Sequence, residues 1–241
     1  MANPVLNDKF SEQERVLQGE PMTVNGTLQV TAFLGALLFA AAAFTWSRFT
    51  LGYTDLAMTL TGAGLILGFI LGLVIAFTRM KALIPVYAVC EGMFLGGVSA
   101  TFEASMPGIV SQAVAGTFAA LFSMLILYRA NVIRCTDKFR SVIFITTASI
   151  AVVYLVNFIG SFFGLHVPLI NSSSTAGIVV TAVIVVIAAL NLIIDFDFIE
   201  RGAQNMLPKD MEWYGAFGLM VTIVWLYLEI LRLLAKLQSR R

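Results

Sequence analysis

Seven long apolar runs, separated by short polar segments, follow a polar stretch at the start of the chain. Each run holds about 20 residues, the number that a helix needs to cross the hydrocarbon core of a bilayer. Because lipid offers no hydrogen bonds to the backbone, unbroken runs of this length favour helices. The pattern predicts seven membrane-spanning helices over residues 28–46, 56–78, 82–102, 109–129, 141–163, 176–198 and 213–236.

The composition supports lipid as the solvent of this chain. Its 241 residues are 59% hydrophobic and 12% charged, whereas a soluble domain carries roughly 25% charged residues. We therefore predict an all-α integral membrane protein with a polar N-terminal tail over 1–27, a membrane domain over 28–237 and a basic C-terminal tail over 238–241. The tail lacks the apolar segment of a signal peptide, so we expect it to be cytoplasmic and mostly flexible.

The basic residues of the loops predict the orientation. With the N-terminal tail inside, the inner segments hold ten Lys or Arg residues and the outer loops hold one. Cytoplasmic loops are enriched in these residues, so we predict that the loop over 129–140, which holds four of them, is cytoplasmic. Four more basic residues end the chain on the predicted outer side. Span 7 is therefore either a full crossing held by packing or a re-entrant segment.

Glycines recur every four residues in two spans. Span 2 contains Gly64, Gly68 and Gly72, and span 3 contains Gly92 and Gly96. Small residues at this spacing let two helix backbones approach closely where no hydrophobic force drives helices together. The pattern indicates tight packing within one bundle, with an oligomer interface as the alternative.

The residues of known catalytic motifs are missing from the sequence. There is no phosphate-binding loop, no HExxH and no GxSxG. His166 is the only histidine, and Cys90 and Cys135 lie in unlike surroundings, so neither a zinc site nor a disulfide framework is expected. A net charge of +1 gives no indication of nucleic-acid binding. We expect no enzyme activity and no cofactor.

Four acidic residues lie inside predicted spans: Glu91, Asp195, Asp197 and Glu229. An ionised group at the centre of a membrane helix costs roughly 2.5–3.5 kcal/mol, so such residues usually face a cavity, a partner or an ion path. Glu91 lies near the predicted midplane with no basic residue within a turn. Tyr87, four residues earlier, is placed to hydrogen-bond it, so Glu91 is either a structural carboxylic acid or part of an ion path.

Two of these acids have basic neighbours on their own helix. Asp197 precedes Arg201 by four residues, and Glu229 precedes Arg232 by three, spacings that favour ion pairs. Asp195 is two positions from Asp197 and points to nearly the opposite side of the helix, where it has no such partner. Asp195 is thus the acid that local pairing explains least.

Three segments resemble those of the Bax inhibitor-one-like family of membrane proteins. They are "CEGMFLGGVSATFE" (90–103), "NLIIDFDFIERG" (191–202) and "VWLYLEILRLLAKL" (224–237), and with the seven-span layout the resemblance covers roughly residues 28 to 237. The resemblance implies a bundle in which the last helix is surrounded by the other six. The absence of targeting elements suggests a bacterial member in the plasma membrane, with its N-terminus in the cytoplasm.

The resemblance also implies a pH-sensitive calcium leak gated by two carboxylates that share a proton. By position these are Asp195 and Glu229, 34 residues apart, with Glu where better understood members carry Asp. Two carboxylates in a low-dielectric site cannot both ionise cheaply, and losing their shared proton leaves a repulsion that opens a path. Their oxygens are also the ligands that calcium prefers, so we expect Asp195 and Glu229 to contact the ion.

Two other functions stay open. The first is a non-conducting regulator that binds other membrane proteins, such as a protease or a stress factor. The second is a proton-coupled transporter that uses the carboxylates as a relay. A regulator needs no connected polar path through the bundle, whereas a channel does. The expected partners are the lipid bilayer, calcium ions and, for a regulator, other membrane proteins.

Overall fold

The computed structural model describes residues 20–164 and 172–240, and its architecture is an all-α bundle. Seven long helices, each long and apolar enough to cross a membrane, occupy these residues. They are α1 (Val24–Thr50), α2 (Thr54–Thr78), α3 (Ile84–Ser105), α4 (Ile109–Arg129), α5 (Asp137–Phe162), α6 (Thr175–Gln204) and α7 (Met211–Gln238). The number and order of the predicted spans are therefore confirmed.

Most helices extend beyond the apolar runs that predicted them. Helix α1 begins at Val24, before the predicted start at 28, because the Thr23 hydroxyl accepts a hydrogen bond from the Gly26 amide at 2.9 Å and caps the first turn. Helix α6 continues past the predicted end at 198 to Gln204. Most of the N-terminal tail lies outside the described residues, so its predicted flexibility stays a prediction. His166 also lies outside them.

Helix α7 is the centre of the bundle. Between residues 211 and 236, every residue of α7 except Val221 is buried or half-buried. The helix packs against α1, α3, α4 and α6. Tyr154 of α5 donates a hydrogen bond to it, and Tyr214 of α7 donates to the carbonyl oxygen of Arg79 at the end of α2. The last helix therefore contacts each of the other six, as the resemblance implies.

Helix α7 is continuous, so the re-entrant alternative does not hold. Its 28 residues extend about 42 Å at 1.5 Å per residue. At its far end the Ser239 hydroxyl lies 2.9 Å from that of Ser173, just before α6 begins. Lys236 is buried there and donates to Thr181 Oγ1 at 2.8 Å and to the Gly177 carbonyl oxygen at 3.2 Å. These acceptors show how packing accommodates a basic residue near the end of α7.

The glycines pack helices inside the bundle. The α2 ridge faces α3, where a Cβ on Gly64 would lie 2.5 Å from a backbone oxygen. The α3 glycines face α1: a Cβ on Gly92 or Gly96 would clash with the carbonyl oxygen of Leu38 or Ala42. Both helix pairs thus approach backbone to backbone, which confirms the packing interpretation. We call α1, α2 and α3 the N-terminal triplet and α5, α6 and α7 the C-terminal triplet.

Candidate functional site along the last helix

One face of α7 carries five polar side chains in its second half. Spacings of three or four residues separate Thr222, Trp225, Glu229, Arg232 and Lys236, so all five project from the same side of the helix. This side faces α6 and α5. We call these five residues the polar face of α7.

Asp195 of α6 lies against the beginning of the polar face. Its Oδ1 atom would be 3.5 Å from a Cβ placed on Gly218, and the Thr222 side chain interacts with the carboxyl group. Its Oδ2 atom is buried and is the only buried carboxylate oxygen, within 20–164 and 172–240, that has no hydrogen-bond partner. A buried polar atom without a partner is costly, so this oxygen is a candidate functional atom.

Glu229 lies further along the same face and is fully hydrogen-bonded. Its side chain is buried, with 1% of the residue exposed. Its Oε1 atom accepts hydrogen bonds from the Tyr154 hydroxyl at 2.8 Å, from Arg232 Nη1 at 3.1 Å and from Trp225 Nε1 at 3.3 Å. The predicted neighbour Arg232 is therefore its ion-pair partner, and the pair neutralises a carboxylate inside the bundle.

Tyr154 ties α5 to this pair. Arg232 Nη1 donates to the Tyr154 hydroxyl oxygen at 2.6 Å, and the guanidinium carbon lies 4.9 Å from the centre of the Tyr154 ring. A guanidinium over an aromatic face is attracted by the ring electrons. Three groups on two helices therefore hold one another in place, and Arg232 remains partly exposed, with 39% of its side chain accessible.

The structure brings Asp195 and Glu229 to the same face of α7 and leaves them apart along it. Thr222, which lies beside Asp195, and Glu229 are seven residues apart, or about 10 Å along the helix axis. The described hydrogen bonds of Glu229 go to Tyr154, Trp225 and Arg232. In this conformation the two carboxyl groups therefore make no direct hydrogen bond, and a shared proton stays a prediction.

Polar groups of α5 and α6 lie at depths between and beyond the two acids. Asn191, one turn from Asp195, donates to Thr147 Oγ1 of α5 at 2.9 Å. At the far end, Lys236 contacts Thr181 of α6. Because α6 and α7 run antiparallel, these contacts and those of Glu229 form a series of polar positions along the second half of α7, from Thr222 to Lys236.

Glu91 lies away from the polar face of α7. It is half-buried on α3 next to α2, and a Cβ on Gly68 would be 3.2 Å from its Oε1 atom. Tyr87, one turn earlier, interacts with its carboxyl group, and the Tyr87 ring packs edge to face on Phe217 of α7 at 5.0 Å. The structure thus places Glu91 in the N-terminal triplet, apart from Asp195 and Glu229.

Asp197 belongs to a cluster at the end of α6. It is buried and accepts hydrogen bonds from Arg140 Nη2 at 2.6 Å and from Arg201 Nε at 2.9 Å. The predicted pair with Arg201 is therefore present, and Arg201 also donates to the Cys135 carbonyl oxygen at 3.0 Å. Burial raises the pKa of the Cys135 thiol, with the nearby Asp197 carboxylate acting in the same direction. Both effects favour the neutral thiol.

The partners that α5 supplies were not predicted from the sequence. Arg140 and Tyr154 bind Asp197 and Glu229 across 57 and 75 residues of chain, distances at which spacing carries no information. One signal was present: Thr222 and Trp225 share a helical face with Glu229, and that spacing predicts a polar surface on span 7.

These features define an integral membrane protein, a seven-helix bundle whose central helix carries a polar face and buried acids. The family model described as Bax inhibitor 1 like matches residues 3–239, almost the whole chain. The chain therefore belongs to the Bax inhibitor 1 like family, which confirms the resemblance found in the sequence. No individually curated protein matches the chain.

Proposed function

We propose that the protein is a pH-responsive calcium leak whose path follows the polar face of α7. The observation that supports this most is the buried Asp195 oxygen without a hydrogen-bond partner, at one end of the series of polar positions along the second half of α7. Carboxylate oxygens suit a hard cation such as calcium. Two carboxylates are too few for a closed calcium site, which takes 6–8 oxygens, and weak coordination is what a leak requires.

Protonation supplies the gate in this proposal. At low pH Asp195 holds a proton, and the Arg232 guanidinium offsets most of the charge of Glu229, so the polar face attracts cations only weakly. As pH rises, Asp195 loses its proton, and a negative charge develops in the bundle about two helical turns from Glu229. The two acids then repel each other and attract calcium, so the flux increases with pH. Proton sharing between them would require the helices to move.

The polar face is also the feature that separates this proposal from a regulator of other membrane proteins. A regulator needs an exposed binding surface and gains nothing from acids and their partners inside the bundle. A proton-coupled transporter would use the same groups as a relay. In that case the flux of the second substrate would depend on a pH gradient, whereas the flux through a leak depends on the pH at Asp195.

The orientation is part of the proposal. The start of α1 and the basic loop 129–140 line one cavity and therefore share an end of the bundle, which we place in the cytoplasm of a bacterial cell. In a Cys135→Ser background, Asp137→Cys should react with an impermeant thiol reagent only after permeabilisation. Leu51→Cys, at the other end of α1, should react in intact cells. Labelling of Asp137→Cys from outside would reverse the orientation.

A calcium-flux measurement tests the proposed activity. Purified protein is reconstituted into liposomes that contain a calcium dye, and flux is recorded at a mildly acidic and a mildly alkaline pH. We expect more flux at the alkaline pH, and expect Asp195→Asn to lower the flux and remove its pH dependence. Asp55→Asn, the same change on α2 away from α7, is the control. Wild-type flux no greater than that of empty liposomes at both pH values would favour a regulator.

A further inference from the structure

A groove runs along the bundle between α1 and α4. Both helices pack against α7, and between them lies a cavity of about 460 Å³ with an almost wholly apolar lining. It extends along α1 from Thr31 to Trp46, about 22 Å at 1.5 Å per residue. One leaflet of the hydrocarbon core is about 15 Å thick, so the groove can hold an extended acyl chain.

The groove continues into a second cavity with a different lining. Thr31, Leu121 and Ile223 line both cavities. The second cavity, of about 1030 Å³, lies at the end of the bundle that holds the start of α1 and the loop 129–140, and its lining includes charged residues. We call the groove the trough and the second cavity the mouth. An apolar trough thus joins a mouth that holds charged side chains, which is the arrangement of a phospholipid tail and headgroup.

The mouth offers charges of both signs. Its lining includes three arginines and three acids, of which Asp197 and Arg201 bind each other. Arg129 and Arg134 remain, exposed and without an ion pair within the described part of the chain. Asp137 and Glu200 remain on the acidic side, both exposed, and Glu200 accepts a hydrogen bond from Tyr128 at 2.6 Å.

We propose that the groove binds a phospholipid whose headgroup carries both a phosphate and a primary ammonium group. Arg129 and Arg134 bind the phosphate, since guanidinium groups match phosphate oxygens. Asp137 and Glu200 accept hydrogen bonds from the ammonium group. One acyl chain lies in the trough between α1 and α4. A purely anionic headgroup would leave both acids without a cation, and a quaternary ammonium has no N–H to donate.

Gly35 offers a way to block the trough. It lines the groove on α1, and nothing lies within 4 Å of a Cβ built on it. The Cβ atom of Gly35→Leu would therefore meet no protein atom, and the rest of the side chain should occupy the space of the acyl chain. Gly62 on α2 is equally open and does not line the groove, so Gly62→Leu is a matched control.

Native mass spectrometry of the purified protein tests the site, with phosphatidylethanolamine, phosphatidylcholine and phosphatidylglycerol of identical acyl chains as probes. The wild type should retain phosphatidylethanolamine best. Arg129→Gln and Arg134→Gln should each weaken its binding about fivefold. Lys138→Gln, which removes a charge from the first turn of α5 outside the cavity lining, should leave the binding unchanged. Asp137→Asn should reduce the ratio of bound phosphatidylethanolamine to bound phosphatidylglycerol. Gly35→Leu should lower the retention of all three lipids.

Three results would overturn the site. The first is equal retention of the three lipids by the wild type. The second is an equal effect of Lys138→Gln and the two arginine variants, which would indicate surface charge alone. The third is equal retention by Gly35→Leu and Gly62→Leu. The arginines are exposed, so their variants test the headgroup contacts even if Gly35→Leu fails to fold.

Discussion

The two triplets of helices are held together in different ways. In the N-terminal triplet, glycines bring the α1, α2 and α3 backbones into contact, and a Cβ at Gly64, Gly92 or Gly96 would meet a neighbouring backbone. In the C-terminal triplet, helix α5 is largely exposed and is joined to α6 and α7 by polar side chains. Lipid provides no hydrophobic force between helices, so backbone packing and polar contacts are the two available means.

This difference suits the N-terminal triplet to a structural role and the C-terminal triplet to the proposed ion path. Close contacts between a glycine and the backbone of the neighbouring helix fix the distance between the two helices and leave no room for an ion. Polar side chains can exchange one partner for another, as Glu229 could if Arg232 or Tyr154 moved. The acids that we assign to the ion path lie on the C-terminal triplet, and Glu91 lies on the other. We therefore expect substitutions in the N-terminal triplet to change stability alone, whereas those in the C-terminal triplet also change the calcium flux.

The largest effect is expected at Gly96. Gly96→Ala places a methyl group against the Ala42 carbonyl oxygen, which belongs to a backbone and cannot move alone. Overpacking of this kind costs about 1–3 kcal/mol, so the melting temperature in detergent should fall clearly. Gly62→Ala is the control, since its Cβ would meet open space. It should be neutral or stabilising by up to about 1 kcal/mol. Equal melting temperatures for the two variants would show that glycine packing does not stabilise the N-terminal triplet.

An intermediate effect is expected at Arg232. Arg232→Gln leaves Glu229 buried without its cation, and breaking one side of a buried pair destabilises by about 3 kcal/mol. Because Arg232 is partly exposed, we expect a loss of about 2 kcal/mol. Adding Glu229→Gln removes the unpaired charge and should restore most of the stability. Thermal unfolding of the two single variants and the double variant measures this. A double variant no more stable than Arg232→Gln would show that the pair does not act as one.

The smallest effect is expected at Glu91. Glu91→Gln keeps the shape of the side chain and its ability to hydrogen-bond Tyr87, so stability and flux should change little, by less than about 0.5 kcal/mol in stability. Glu91→Ala removes the contact beside Gly68 and should lower the melting temperature. Loss of flux in Glu91→Gln with normal folding would place Glu91 in the ion path. It would contradict the assignment of the ion path to the C-terminal triplet alone.

The fold was predictable because lipid makes hydropathy and length decisive. The seven runs gave the number and order of the helices, and the glycine spacing gave the close packing of α2 and α3. Helix ends were less predictable: α6 extends past residue 198 through a polar, charged turn that contributes nothing to an apolar run. The burial of α7 was predicted from the family resemblance and not from the pattern of apolar and polar residues in that helix.

The site was predictable only where it is local. The pairs Asp197–Arg201 and Glu229–Arg232 lie within one turn of a helix, so spacing found them. Arg140 and Tyr154 come from α5, which is apolar around most of its surface, and its sequence does not indicate which side faces α6 and α7. The 34 residues between Asp195 and Glu229 do not fix how α6 and α7 align. The separation of the two acids along α7 therefore did not follow from their spacing.

The proposed leak requires that Asp195 and Glu229 act together in one ion path. A double-mutant cycle on calcium flux against pH, with Asp195→Asn, Glu229→Gln and both together in liposomes, measures their coupling. Each single change removes one member of the same repulsion, so each should lower the flux and flatten its pH dependence. The double variant should then be little worse than either single variant. Additive effects, with pH dependence surviving in both single variants, would show that Asp195 and Glu229 act independently and would contradict a shared ion path.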